Sequence, residues 1–243
     1  MQRLTRLADR RRALSGKRTG QRHALVAAVV ASGALASGAN GQYYDDPSPS
    51  PDGGDAQPDA SVNANGNALV PDSLNFDPAE VSVNVGGLVR WTNTDAAVPH
   101  TATENHGLWR LTGKYGSPGP YQGFGPGESV ERRFEAGTHH YYCEVHPDAM
   151  KAVVRVPVAL ERRPGRRVKA MWSAAAPTDG LVFDVQVRRK GRRWNPLRVS
   201  TPKTHASFPL RRRGTRWQVR ARLRDAKDPA KATDWSPTAK IRS

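Results

Sequence analysis

Alternation of apolar and polar residues with a period of two is the feature that most restricts the fold of this chain. It begins near residue 70 and recurs in Glu80–Val85, Leu88–Trp91, Ser129–Phe134 and Met150–Val158. Such alternation is typical of strands with one buried face. Pro-Gly and Asp-Pro dipeptides separate the runs, and no convincing helical period follows residue 41. The pattern predicts an all-β protein built as a sandwich of short antiparallel strands.

Two glycines separate the first two alternating runs. Gly86 and Gly87 lie between Glu80–Val85 and Leu88–Trp91. A two-residue glycine turn between alternating runs is typical of a β-hairpin. We therefore expect these two strands to pair with each other.

A second set of candidate strands follows residue 163. They are Val168–Trp172, Leu181–Arg189, Trp194–Val199, Ala206–Leu210 and Arg216–Leu223. In the last of these, apolar residues alternate with Arg and Gln, so that one face packs and the other is cationic. The chain is therefore expected to contain two successive β units.

The charge of the chain changes sign twice along its length. Residues 1–41 have eight basic and one acidic residue, a net charge of +7. Residues 42–159 have seven basic and fifteen acidic residues, a net charge of −8, and residues 160–243 have 23 and six, a net charge of +17. An acidic unit followed by a strongly basic one indicates two modules with different partners.

The first 67 residues lack the strand pattern. Residues 1–23 are rich in arginine, and a short apolar stretch, Ala24–Ala36, precedes small residues. This order is typical of an export signal, predicted here over residues 1–41, with a disordered basic arm as the alternative. Residues 42–67 are rich in Asp, Pro, Ser, Gly and Asn and are predicted to be a disordered acidic linker. No apolar run reaches the roughly 18–20 residues of a spanning helix, so a polytopic membrane protein is not expected. The predicted signal instead indicates an exported protein at an extracellular, cell-surface or periplasmic location.

The one cysteine of the chain lies in a pattern with metal-binding chemistry. Cys143, His146 and Met150 fall between two predicted strands, and His100 lies at the end of another. A thiolate, two imidazoles and a weak thioether suit copper. Zinc also accepts one Cys and two His, although a thioether is a poor zinc ligand. A metal-bound thiolate explains an unpaired cysteine in an exported protein; a buried apolar cysteine and ordinary surface histidines are the alternatives.

These residues and their order resemble the cupredoxins, the small blue copper proteins that include plastocyanin, amicyanin and pseudoazurin. The matching segments are Leu74–Val81, Gly86–Asn93, Asp95–Thr101, Pro126–Ser129 and Gly137–Cys143. The resemblance covers residues 68–158 and implies a Greek-key β-sandwich with one type 1 copper ion. It further implies His100, Cys143 and His146 as equatorial ligands and Met150 as the axial ligand. The step from His146 to Met150 is one residue longer than in amicyanin-like loops and one shorter than in plastocyanin-like loops.

Residues 160–243 resemble a fibronectin type III domain. The matching positions are Trp172, Phe183, Trp194, Thr201, Phe208, Gly214–Trp217 and Asp234–Pro237. The resemblance implies a second, smaller β-sandwich that binds or spaces rather than catalyses. Its basic charge attracts polyanions, and outside the cytoplasm these are expected to be an anionic wall polymer or lipid surface rather than nucleic acid. Arginine that merely solvates the domain is the alternative.

Together these features predict an exported copper protein that is not an enzyme. It would exchange single electrons with redox partner proteins by cycling copper between Cu(I) and Cu(II), and its basic sandwich would tether or dock it. The alternative is an extracellular copper-sequestering or cell-surface binding protein without redox turnover. A multicopper enzyme is disfavoured because the chain has seven histidines in all.

Overall fold

The structure is a computed structural model that describes residues 57–67, 70–115, 122–211 and 213–243. The predicted export signal (1–41) and most of the predicted linker (42–67) lie outside the described residues. All regular structure in the described part is β-strand, which confirms the all-β fold class. None of the described residues forms a helix of the length and apolarity needed to cross a bilayer.

The first sandwich contains nine strands in two sheets. Their bounds are β1 (Ala60–Asn67), β2 (Val70–Asp77), β3 (Glu80–Ser82), β4 (Leu88–Asn93), β5 (Ala102–Glu104), β6 (Arg110–Leu111), β7 (Ser129–Arg133), β8 (Gly137–Tyr142) and β9 (Lys151–Val156). One sheet has the order β2-β1-β4-β7 and the other β3-β9-β8-β5-β6. The alternation of sequence explains the packing, since the buried residues of β4 include Val89 and Trp91, and those of β9 include Val154 and Val156.

The predicted hairpin between residues 80 and 91 is wrong. β3 pairs in parallel with β9, and β4 pairs with β1 and β7, so the two runs belong to different sheets. Gly86 has a φ of 83°, which favours glycine, and its N–H donates to the carbonyl of Phe134. The glycine pair therefore carries the chain from one sheet to the other. The pairs β1–β4 and β3–β9 are parallel, so the sandwich is not purely antiparallel as the pattern predicts.

The predicted disordered linker is wrong in its last part. Residues Ala60–Asn67 form β1 at the centre of a sheet, paired with β2 and β4. Val62 and Ala64 are its buried residues, and the outward positions are polar. A strand with so few apolar residues resembles a linker in composition, but its place between two other strands orders it.

The core of the first sandwich is aromatic. Trp91 lies at its centre, with its ring centroid 5.6 Å from that of Tyr141 and 5.9 Å from that of Phe134. The indole N–H of Trp91 donates to the Tyr141 hydroxyl at 3.0 Å, so this buried polar pair is satisfied. Tyr141 belongs to β8, the strand that leads directly to Cys143, and the core thus fixes the approach to the candidate site.

The second sandwich contains seven strands. Their bounds are β10 (Ala159–Arg163), β11 (Arg167–Met171), β12 (Leu181–Arg189), β13 (Asn195–Thr201), β14 (His205–Pro209), β15 (Arg216–Asp225) and β16 (Ala239–Arg242). The sheets have the orders β10-β11-β14 and β13-β12-β15-β16. The five candidate strands are present, and β10 and β16 are additional strands at sheet edges. Val219, Ala221 and Leu223 of β15 are buried, as the alternation predicts.

Backbone and side-chain hydrogen bonds join the two sandwiches. Thr138 of β8 and Asp234 form an antiparallel bridge with N–H to carbonyl distances of 3.0 and 3.2 Å. The Thr138 hydroxyl donates to the carbonyl of Trp235 at 3.0 Å, and the Ala136 N–H donates to the carbonyl of Trp172 at 2.7 Å. The second sandwich is thus bonded to the strand that carries Cys143.

Candidate metal centre

A short loop between β8 and β9 carries three of the four predicted ligands. Its backbone is closed by three hydrogen bonds: Cys143 N–H to the carbonyl of Met150 (3.0 Å), Met150 N–H to that of His146 (3.0 Å), and His146 N–H to that of Cys143 (3.1 Å). Cys143 and Met150 are fully buried, and His146 is partly exposed. The loop therefore holds these side chains at the end of the sandwich with little freedom of its own.

His100 lies at the same site but comes from a separate loop, 43 residues before Cys143. It lies between β4 and β5 and forms a bridge with Phe124, with N–H to carbonyl distances of 3.1 and 2.8 Å. A Cβ at Gly123 would lie 2.4 Å from the His100 carbonyl oxygen, so glycine permits this close approach. His100 is fully buried, and its ring position is fixed by the backbone on both sides.

The structure brings His100, Cys143 and His146 together. The Cys143 Sγ lies 3.7 Å from the Nδ1 of His100 and 3.8 Å from the Nδ1 of His146. The two imidazole centroids are 5.1 Å apart, and one donor atom from each of the three residues lies within 4.8 Å of the others. Three soft or borderline donors that face one small space fit a copper ion.

Asp95 lies behind His100 on the side away from the sulfur. Its Oδ1 accepts hydrogen bonds from the N–H groups of Ala97 and Val98 at 2.8 and 3.3 Å. Its Oδ2 lies 3.6 Å from the Nε2 of His100, and both atoms are buried with no closer hydrogen-bond partner among the residues that the structure describes. A carboxylate at this point favours the tautomer with a proton on Nε2. The Nδ1 lone pair of His100 is then directed towards Cys143, as a metal ligand requires.

The charge states of the three residues also depend on burial. Burial lowers the pKa of His100 to about 4, an effect to which His146 adds and which Asp95 opposes. Burial likewise lowers the pKa of His146, again opposed by Asp95. Both imidazoles are therefore neutral near pH 7, the form that binds metal.

Burial disfavours the thiolate form of Cys143 when no cation is beside it. Burial raises its pKa, and the N–H of Thr101, 3.4 Å from Sγ, partly opposes this effect. A buried thiolate needs a cation beside it. The donor set thus fits a metal ion that binds one thiolate and two neutral imidazoles, and an inert apolar cysteine does not account for the two imidazoles that face it.

Sequence reasoning missed Asp95 as the partner of His100 and Thr101 as a donor to the sulfur. It also missed the ion pair between Arg110 and Glu144, the residue after Cys143, with an N–O distance of 2.7 Å. A carboxylate five residues before a candidate ligand is a weak local signal. Of the remaining histidines, His139 is buried and contacts the Glu135 carbonyl at 3.0 Å, and His140 lies 3.4 Å from Asp234.

Comparison with known proteins finds one matching family and several similar solved structures. Residues 63–157 match the family described as copper binding proteins of the plastocyanin/azurin family. A purple cupredoxin from Nitrosopumilus maritimus is 31% identical, with 40% of this chain and 99% of that chain covered and a TM-score of 0.31. An oxidized amicyanin mutant is 24% identical, with 40% and 80% covered and a TM-score of 0.30. The Cu(I) form of another amicyanin mutant is 24% identical, with 42% and 84% covered and a TM-score of 0.30.

Proposed function

Residues 63–157 form a domain of the plastocyanin/azurin family, and from that premise we propose that this chain is an exported one-electron carrier with one type 1 copper ion. The ligands in this proposal are His100, Cys143 and His146, with Met150 as the axial ligand. The observation that carries it is the convergence of three donor atoms within 4.8 Å from two separate loops. A bound copper ion would supply the one-electron exchange between Cu(I) and Cu(II).

The residues of the chain have distinct roles in this proposal. The thiolate of Cys143 supplies a soft donor that suits copper, and the thioether of Met150, a poor zinc ligand, favours copper over zinc. Asp95 and the Phe124 bridge hold His100 in place from behind and from the side. The hydrogen bonds that close the 143–150 loop keep the ligands in one arrangement, which suits an electron carrier because little has to move on oxidation.

His146 is the partly exposed member of the set. Cys143 and His100 have no exposed surface, whereas the ring of His146 reaches the rim of the sandwich. A redox partner protein that docks at this rim comes closest to the metal through that imidazole. We therefore assign His146 as the residue through which electrons enter and leave.

The second sandwich, in the same proposal, is a fibronectin type III-like docking domain. Two sheets of three and four strands pack around buried Trp172 and Phe183, and residues 160–243 have a net charge of +17. Outside the cytoplasm such a domain would hold the carrier at an anionic polymer or lipid surface, with no role in nucleic-acid binding.

Voltammetry of the copper-loaded full chain tests the carrier role. We expect a reversible one-electron couple, which is lost in His146→Gln because a ligand is removed. The matched control is His106→Gln, since His106 is exposed and contacts Glu104 away from the cluster. A protein that retains Cu(I) tightly and has no accessible couple would instead be a sequestering protein, and the carrier role would be wrong.

A further inference from the structure

A cleft of about 590 Å³ opens beside the hairpin that joins β12 to β13 in the second sandwich. Four arginines line it: Arg188, Arg189, Arg192 and Arg193. No acidic side chain is among the described residues that line it. Gly191, with a φ of 77°, forms the tight turn that brings the two arginine pairs around one opening.

The positive charge of this cleft is not neutralised within the described part of the chain. Elsewhere in the same sandwich, Arg222 and Arg224 both bond to the carboxylate of Asp184, at 3.1 and 3.0 Å. By contrast, Arg188 donates to the neutral amide oxygen of Gln218, at 2.8 Å. Like charges gathered without a counter-charge raise the free energy of the folded chain, and an anion relieves that cost.

Stacking holds one of these guanidinium groups in a fixed orientation. The Arg188 guanidinium lies 4.2 Å from the ring centroid of Trp194, and the Arg220 guanidinium lies 4.3 Å from the same centroid. The Arg220 guanidinium also lies 4.4 Å from the ring centroid of Trp235, so arginines and tryptophans form one stacked row. This stacked row lies on the outer face of the sheet, because Arg188 and Arg189 are successive residues of β12 and Arg189 shares the opposite face with Trp217. It adds fixed positive charge at the rim of the cleft.

Trp217 forms one wall of this cleft. It pairs with Arg189 across β12 and β15, and its ring packs against Phe208 at 5.9 Å. Its Nε1 is buried from solvent, so a ligand in the cleft meets the ring of Trp217 and not its N–H. The contacts with a charged ligand therefore come from the arginines.

We propose that this arginine cleft binds the phosphate groups of an anionic polymer. The proposal rests on the docking role proposed above for the second sandwich, and it names the site and the chemistry. Arginine presents a planar fork that matches two phosphate oxygens. A polymer fits better than a bilayer, because Val199 is the one large apolar side chain that is strongly exposed in the described part of this sandwich, which leaves little to insert into lipid.

Binding of the full chain to inorganic polyphosphate, measured calorimetrically at several salt concentrations, tests the proposal. The double variant R192A/R193A removes two exposed arginines from the cleft and should weaken binding at least about tenfold, since charge-assisted contacts are lost. The matched control R211A/R213A removes the same charge from exposed arginines outside the cleft and should weaken binding less than about threefold. Equal losses in the two variants would overturn the cleft as the site.

Two further arms separate the sources of binding. Polyglutamate of equal charge should bind more weakly than polyphosphate. Binding to phosphatidylglycerol vesicles without binding to polyphosphate would overturn the proposal in favour of a lipid surface.

These results are independent of the copper centre. If the full chain binds neither polyphosphate nor vesicles, the docking part of the proposed function fails together with the cleft. If it binds polyphosphate equally well after R192A/R193A, the cleft fails and the docking role stands. The voltammetric couple is unaffected in either case, because the ligands lie in the first sandwich.

Discussion

Asp95 in the first sandwich and Asp184 in the second are both buried carboxylates with different surroundings. Asp184 accepts the N–H of Ser200 at 3.0 Å and bonds to Arg222 and Arg224, so that it is neutralised within its own domain. Asp95 accepts backbone N–H groups with one oxygen, and its other oxygen faces the Nε2 of His100 at 3.6 Å. No arginine or lysine pairs with Asp95 within the described residues.

The difference separates a structural carboxylate from one that serves a site. The buried charge of Asp184 is neutralised as soon as its sheet forms, because Arg222 and Arg224 lie next to it in β15. The Oδ2 of Asp95 and the Nε2 of His100 are buried without a hydrogen-bond partner among the described residues. A metal ion on the Nδ1 of His100 would make the Nε2 proton a stronger donor to Asp95, so this carboxylate serves the site, whereas Asp184 serves its own sheet.

Copper loading is expected to give the largest change in the free energy of unfolding. The ion binds the folded first sandwich in preference to the unfolded chain, so at free copper about 1,000 times Kd the free energy of unfolding should rise by about 4 kcal/mol. Calorimetry with and without copper measures this. Cys143→Ser should remove most of the rise; a rise of equal size in that variant would mean that the metal binds elsewhere.

Substitution of Asp184 by Asn is expected to have the next largest effect. The amide cannot neutralise Arg222 and Arg224, and loss of one partner from a buried pair costs about 3 kcal/mol. Urea unfolding measures the change. The control is Asp179→Asn, because Asp179 is exposed, and its effect should stay within about 0.5 kcal/mol. Equal effects of the two substitutions would contradict a structural role for Asp184.

The same carboxylate predicts a pH dependence. Burial alone would raise the pKa of Asp184, but the Ser200 N–H, Arg222 and Arg224 outweigh it and hold the pKa below its usual value. Its stabilisation is therefore complete above the unfolded pKa of about 3.9, and it is lost as the pH falls through the lower folded value. Urea midpoints between pH 2 and 6 should fall less steeply in Asp184→Asn than in the wild type.

Thr138→Val gives the smallest effect and tests whether the sandwiches depend on each other. The substitution removes the bond from the hydroxyl to the Trp235 carbonyl and should lower the free energy of unfolding by about 1 kcal/mol. Glu80→Gln serves as a control that breaks an exposed ion pair with Arg155 in the same sheet, and its effect should be smaller because the pair is exposed to solvent. A Thr138→Val effect no larger than that of the control would indicate that this hydroxyl does not stabilise the contact between the sandwiches.

Local sequence patterns predict the local part of this fold. The period of two marks β4, β9, β12 and β15, which have buried residues, and β7, whose residues are at most partly buried. It does not predict strand partners, since Glu80 pairs with Val153, far along the chain. It also misses two edge strands: β10, most of whose residues are exposed, and β16, which alternates over only four residues.

The residues of the candidate site also differ in how far the sequence predicts them. Cys143 and His146 are predicted from one loop, because their spacing in a short turn lets both side chains face one point. His100 is a candidate because it lies at the end of another predicted strand, but 43 residues separate it from Cys143, and its assignment as a ligand draws further on the resemblance to a family. Asp95 could not be found from the sequence, because its role depends on the contact of its Oδ2 with the far nitrogen of the His100 ring.

The visible absorption spectrum of the full chain, freed of metal and reloaded with one equivalent of Cu(II), tests the central claim most directly. A thiolate of Cys143 bound to Cu(II) together with His100 and His146 predicts an intense visible charge-transfer band that is absent in Cys143→Ser. A colourless Cu(II) form, or a band that persists in Cys143→Ser, would contradict the account.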